Sequence, residues 1–343
     1  MRRNTDLFNP IVSENELHPD FKLLMQNDEY APARGLIQEI FNSFLDKDGH
    51  FIREFQTQFH PRIWELYLHS YLVNSGFAID PTHKSPDFIA TKSGITLCIE
   101  AVTANPTQGS HPYEISEDEF EDYDSYILYL TQNIIPIKLG GPLSDKLMKK
   151  YWELPHVAGL PLILAIEDFH ETNSHFFNSD SLRIYLYGVG WKLERNYKGN
   201  PTVKPQKIIF HEHAHKKIPS GFFWQEEAKY ISAVIFNNLG DVEKFNRMGH
   251  QGKYRSNKLR IGRKGVCISF KKLCEFSSEV GDPNFPFETW GQGMEIFHNP
   301  NALNPIPPIV FSDAAQWRFK DGGLQTIIPS FHPLSSITYR IIS

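Results

Sequence analysis

Apolar positions recur at helical spacing early in the chain. Leu36, Ile37, Ile40, Phe41 and Phe44 form one stripe. They predict a helix from Pro32 to Leu45, with the proline in its first turn and Lys47-Asp48-Gly49 beyond its end. Residues 1–31 are polar and rich in turn formers, and predict an irregular arm. A second helix opens at Pro61 and closes at Gly76. Trp64, Tyr67 and Tyr71 mark one apolar side of it, and Leu68 and Leu72 another, so it is apolar nearly all round. Glu65 falls on the leucine side, where a carboxylate needs a partner, and Arg62 three residues back is one.

The period then changes. Phe77 to Asp80 predicts a short strand. Within Pro86 to Val102, Ser93-Gly94 separates two apolar runs as a two-residue hairpin loop. Lys92 then pairs with Ile95, and Asp87 falls opposite Glu100 on the same face, with Cβ atoms about 4.5–5.5 Å apart. Two buried carboxylates placed so repel, and a divalent cation between them reverses the sign of that cost. A slip of one residue, or one carboxylate turned to water, is the alternative. Ile95 to Val102 is mostly apolar, as a central strand is.

Beyond the hairpin the pattern predicts a helix near residues 123–132. Gly140-Gly141-Pro142 breaks the chain, and Ser144 caps a further helix through Leu154. Pro161 to Asp168 is a continuous apolar run and predicts a buried strand. Ser179 to Leu186 predicts a helix, Gly188 to Pro205 a loop or hairpin, and Tyr230 to Asn237 a second strong strand. Asn299 to Pro308, with four prolines, predicts an extended segment.

Composition narrows the class. The 343 residues suffice for a sizeable core, and 41% hydrophobic with 22% charged residues is ordinary for a globular chain. A net charge of -5 speaks against a uniformly basic nucleic-acid coat, though not against a local basic patch. Cys98, Cys267 and Cys274 include no CxxC pair, which fits a reducing compartment and gives no zinc-finger pattern. With no apolar stretch after Met1-Arg2-Arg3 and no run near 18 apolar residues, the expectation is a soluble cytoplasmic protein without a membrane span.

Pro86-Asp87, a short hairpin, then Glu100 late in the second strand resembles the PD-(D/E)XK (restriction-endonuclease-like) nuclease superfamily. The helix carrying Glu65 matches the family's upstream helix, and the likeness extends over roughly Pro61 to Asp168. Where the family carries a lysine two residues after the acid, this chain has Val102. The resemblance implies an α/β protein with a restriction-endonuclease-like core. Its order is α-β-β-β-α-β, with a mixed central sheet flanked by helices and with N- and C-terminal additions. The corresponding divisions are an arm and helix over 1–60, the core over 61–240 and a basic extension over 241–343. It also implies that Asp87 and Glu100 hold Mg²⁺ or Mn²⁺ with Glu65 completing the site, and that a helix lysine, Lys146 or Lys150, replaces the missing one. Solvent-facing lysines at a helix edge are the alternative for both.

Three charged stretches remain. Glu114, Glu117, Asp118, Glu119, Glu121, Asp122 and Asp124 crowd a segment that phosphate would avoid. His211, His213 and His215 alternate, so a strand would put three imidazoles on one face for zinc, and an exposed polar strand or loop is the alternative. From Lys244 to Lys272 there are ten Lys or Arg and no acid. Of these, Lys244, Arg247, Lys253, Arg255, Lys258, Arg260, Arg263 and Lys264 are the candidates for phosphate contact. A basic loop that neutralises the acidic segment is the alternative. The expected activity is Mg²⁺-dependent phosphodiester hydrolysis. Nucleic acid is the expected partner, DNA in preference to RNA, with a homodimer admitted and no membrane. The rival is an inactive nuclease fold that binds nucleic acid or a protein.

Overall fold

The computed structural model describes residues 5–106, 115–171, 173–176, 179–195, 201–283, 285, 287–321 and 323–342. Four helices come first: α1 (Pro19–Gln26), α2 (Ala31–Ser43), α3 (Phe51–Thr57) and α4 (Phe59–Asn74). They lead into β1 (Ala78–Asp80), β2 (Phe88–Lys92) and β3 (Ile95–Ala104). Then follow α5 (Tyr123–Tyr129), α6 (Ile135–Leu147), β4 (Leu162–Asp168) and α7 (Asp180–Tyr187). Two small hairpins come next, β5 (Val189–Arg195) with β6 (Pro201–Lys207) and β7 (Phe210–His213) with β8 (Lys216–Pro219). After β9 (Ile231–Asn237) and α8 (Val242–Gln251) come β10 (Leu259–Ser269), β11 (Lys272–Glu279) and β12 (Glu295–His298). The chain ends with β13 (Ala315–Lys320), β14 (Gly323–Ile327) and β15 (Phe331–Ile342).

The molecule is mixed α/β. Its centre is an 8-stranded mixed sheet in the order β1-β2-β3-β4-β9-β12-β13-β14, with helices on both faces. β3, β4 and β9 run parallel, and β2 is antiparallel to β3. On one face α4 packs with α1–α3 through Trp64, Leu68, Tyr71 and Ile163. On the other, α6 and α7 cover Val102, Leu164 and Val234. Trp64 is held against the sheet by its indole N–H, which donates to the Ala165 carbonyl at 2.8 Å. The hairpin loop is as expected: Ser93 and Gly94 have φ of 52° and 78°, the left-handed pair that matches strand twist in a two-residue turn.

Several expectations fail for local reasons. The arm over 1–31 contains α1, whose Phe21 and Leu24 are buried in the core. α3 was not anticipated, because its Phe51 and Phe55 are too few to mark a period. The expected helix from Ser144 to Leu154 is displaced: α6 begins at Ile135, runs through Gly140-Gly141-Pro142 and stops at Leu147. Gly140 belongs there because a Cβ would meet the Tyr185 ring and Ile218 at 2.7 Å, so the glycine lets α6 lie close to α7.

The sheet crosses the division expected at 240/241, because β12, β13 and β14 complete it. α8 packs on α2, and a Cβ at Gly249 would collide with the Pro32 carbonyl.

The basic run does not form one phosphate-facing surface. Lys244, Arg247 and Arg263 are buried around Glu288, at 2.9, 2.8 and 3.1 Å. Burial alone would raise the Glu288 pKa, but Arg247, Arg263 and Lys244 hold it well below the usual range. Burial pushes Lys244 down to about 8 and Arg263 down to about 10. These three are corrected from phosphate contacts to a structural ion cluster that joins α8 to β10. Lys253, Arg255, Lys258, Arg260 and Lys264 are exposed, with Lys253 paired to Glu39 and Arg260 to Glu279.

Glu288→Ala strands three buried cations and should destabilise the protein by about 3–5 kcal/mol. Urea unfolding checks this, and a loss under about 1 kcal/mol would show that the cations find other partners.

Candidate functional site

The β2–β3 register settles where the acids fall. Phe88 pairs with Ile99, so the next position outward sets Asp87 against Glu100, as the turn predicts. Asp87 Oδ2 accepts the Ala101 N–H at 2.7 Å, which fastens the carboxylate to the second strand. Glu100 lies mid-strand and buried. Its Oε1 accepts from Lys146 Nζ at 2.5 Å and from the Tyr151 hydroxyl at 2.6 Å. Glu65 is buried on α4 and accepts from Arg62 Nη1 with both oxygens, at 2.7 and 2.8 Å. Arg62 also pairs with Glu54.

The three carboxylates sense one another. Burial, then repulsion from Glu100, pushes Asp87 up to about 6 against the pull of Ala101 N–H, Lys146 and Lys47. Burial, then Asp87, pushes Glu65 up to about 8, opposed by Arg62. Lys47 donates to the Asp87 carbonyl at 2.6 Å, and burial lowers its pKa against the attraction of Asp87 and Glu65. Lys47, Arg62, Glu65, His69, Lys84 and Asp87 line a cavity of about 340 Å³; Glu100 does not line it. The ligand oxygens of Glu65, Asp87 and Glu100 do not all lie within 4.8 Å of one another, so the trio is an electrostatic group rather than a closed cage.

The two helix lysines separate. Lys146 reaches Glu100, whereas Lys150 pairs with Glu227 at 2.9 Å and lies outside the site. Lys150 is corrected because α6 ends at Leu147, and Lys150 itself has φ of 51°. Val102 is buried and supplies no charge. The histidines do not gather. His211 is buried with Nδ1 against the Gln132 carbonyl at 2.6 Å, and Ala214 (φ 49°) turns the chain before His215. Of the acidic segment, Glu117, Asp118, Glu119, Glu121, Asp122 and Asp124 are exposed, and Glu114 lies outside the described residues.

Lys47 and Tyr151 belong to the group and were not anticipated. Lys47 reads as helix-end punctuation and lies 40 residues from Asp87. The Tyr151 hydroxyl, held protonated by burial and Glu100, is the part that matters. No family model, no curated protein and no solved structure matches this chain.

Because Glu65 and Asp87 hold protons more tightly folded than unfolded, each stabilises least when ionised. In chelator, Glu65 should lower stability progressively as pH rises from about 4.5 to about 8, with a slope near 1.4 kcal/mol per pH unit. Glu65→Gln should remove that slope. Unfolding midpoints across this range check it, and parallel wild-type and variant curves would overturn the raised Glu65 pKa.

Proposed function

We propose that this protein is a Mg²⁺- or Mn²⁺-dependent nuclease of PD-(D/E)XK type, hydrolysing phosphodiester bonds, of DNA in preference to RNA. The observation that carries this reading is the opposition of Asp87 and Glu100 across a hairpin, with Lys146 on Glu100. The donor set fits a hard cation, because it is all oxygen and because Asp87 and Glu100 repel until a positive charge separates them. Mg²⁺ needs only one or two protein carboxylates, so Asp87 and Glu100 suffice and Glu65 acts beside them. A cation there supplies an activated water and charge neutralisation at the scissile phosphate.

The chain's own residues do the rest. Lys146 brings a fixed positive charge to the position that Val102 leaves neutral, where charge develops on phosphate. Arg62 and Lys47 keep positive charge beside Glu65 and Asp87 and hold both acids in place. Of the eight candidate cations, the exposed Arg255, Lys258 and Lys264 are the ones left for phosphate contact.

A second reading, a nuclease fold that binds without cutting, is favoured by one specific observation. Lys146 and Tyr151 both occupy Glu100 Oε1, and Glu100 does not line the cavity.

Cleavage of plasmid, single-stranded DNA and RNA with Mg²⁺ or Mn²⁺ separates the two readings. Under the nuclease reading Asp87→Ala and Glu100→Ala abolish metal-dependent cleavage while the fold persists. Full activity in Glu100→Ala would sink it, and metal binding without cleavage by the wild type would favour the binding module. Lys146→Met should lower the rate by orders of magnitude and leave metal affinity nearly unchanged, whereas Lys150→Met should change neither. Equal loss from both lysine variants would contradict the placement of Lys150 outside the site.

A further inference from the structure

We propose that His18, Asp20 and His60 form a second metal site, for a borderline divalent transition ion of the Zn²⁺ class. One ligand atom from each lies within 4.8 Å of the others, and among the described residues these three form the only such group. His60 Nε2 stands 2.8 Å from Asp20 Oδ2, and His18 Nδ1 stands 3.7 Å from the same oxygen. The imidazoles approach edge to face, centroids 4.9 Å apart at 68°. Two nitrogens and one carboxylate suit Zn²⁺ or Fe²⁺ and not Mg²⁺, so this site and the carboxylate site select different ions.

The surroundings hold the ligands in this arrangement. His60 Nδ1 lies 3.2 Å from Asn105 Oδ1, which turns Nε2 toward Asp20, as outer partners of metal-binding histidines do. The His60 ring stacks on Phe169 at 4.4 Å and 6°. His18 caps α1, its Nδ1 accepting the Asp20 N–H at 3.2 Å, a hydrogen bond that an ion on Nδ1 would displace, and its backbone N–H donates to the Gln56 carbonyl at 2.8 Å.

A second observation points the same way. The three residues line a cavity of about 500 Å³ that is also lined by Glu167. Glu167 is fully buried, its Oε1 takes the Gly240 N–H at 2.8 Å, and among the described residues its Oε2 has no hydrogen-bond partner. Three protein ligands beside such a cavity leave a coordination position for water or a small ligand, as in zinc sites that bind substrate.

The test uses the full chain, stripped with chelator and then held in millimolar Mg²⁺ so that the carboxylate site is not read. Zn²⁺ is titrated calorimetrically, and Co²⁺ by its visible absorption. Fe²⁺, added without oxygen, tells which ion is preferred. One equivalent of Zn²⁺ or Fe²⁺ should bind. His18→Gln and His60→Gln should each weaken it by about 100-fold or more, and Asn105→Ala by about 10–100-fold. Asp87→Asn should leave the affinity unchanged, which keeps failure here separate from failure of the nuclease reading. Absence of binding, or binding unaltered in any folded variant of the pair His18→Gln and His60→Gln, would overturn the site. Thermal unfolding of each variant identifies any that fails to fold, and either histidine variant alone suffices for the decision.

Discussion

Placing Asp87 and Glu100 on one face of a buried hairpin commits the fold to managing like charge out of water. Burial and mutual repulsion both work against ionisation, which is why Asp87 is pushed up to about 6 and Glu65, nearby on α4, up to about 8. The surrounding groups answer that cost from four directions. Ala101 N–H comes from β3, Lys146 and Tyr151 from the end of α6 and just beyond it, Arg62 from α4 and Lys47 from the loop after α2. Both helices that flank the hairpin, α4 and α6, therefore deliver a cation as well as apolar area. Removing one acid would leave donors in excess, and removing one cation would leave a carboxylate exposed to its neighbours' charge.

What was legible in the sequence follows from the range of the interactions. Ser93-Gly94 fixes a register through local backbone geometry alone, so the Asp87–Glu100 opposition could be read from two residues and a count. The strands at Leu162–Asp168 and Ile231–Asn237 were legible because burial on both faces leaves a continuous apolar run. Lys47, Asn105 and Glu288 were not legible, because their roles depend on partners 40, 45 and 41 residues away. The basic run misled for the same reason. Charge sums along a chain say nothing about Glu288, which lies outside the run and draws Lys244, Arg247 and Arg263 inward. The end of α6 misled through propensity: Gly140-Gly141-Pro142 disfavours a helix, and close packing against Tyr185 overrides it.

Two groups on one chain are proposed here to hold metal ions, and donor chemistry separates the two proposals. Asp87 and Glu100 offer only oxygen to a cation, whereas His18 and His60 offer nitrogen beside the Asp20 carboxylate. Hard ions that keep their water favour the first set, and borderline ions favour the second. They are also separated in the fold. Asp87 is set into the β2–β3 hairpin and borders the cavity with Lys47, whereas His18, Asp20 and His60 border the cavity with Glu167, near the end of β4.

The uncharged residue at position 102 has a packing explanation. Val102 faces the layer filled by Leu143, Leu147 and Leu164 and is itself buried. A lysine there would carry its ammonium through that apolar layer, a cost that only a close partner offsets. Lys146 approaches from α6 instead, with 23% of its side chain still exposed and its Nζ on Glu100. Its stem lies along apolar surface while the charge stays partly hydrated, so the same ammonium reaches the carboxylate with less desolvation. α6 can supply it because the helix runs through Pro142 to Leu147, which brings Lys146 over the middle of β3. Had the helix begun at Ser144, as its local pattern suggests, Lys146 would fall in a fraying first turn and could not be held there.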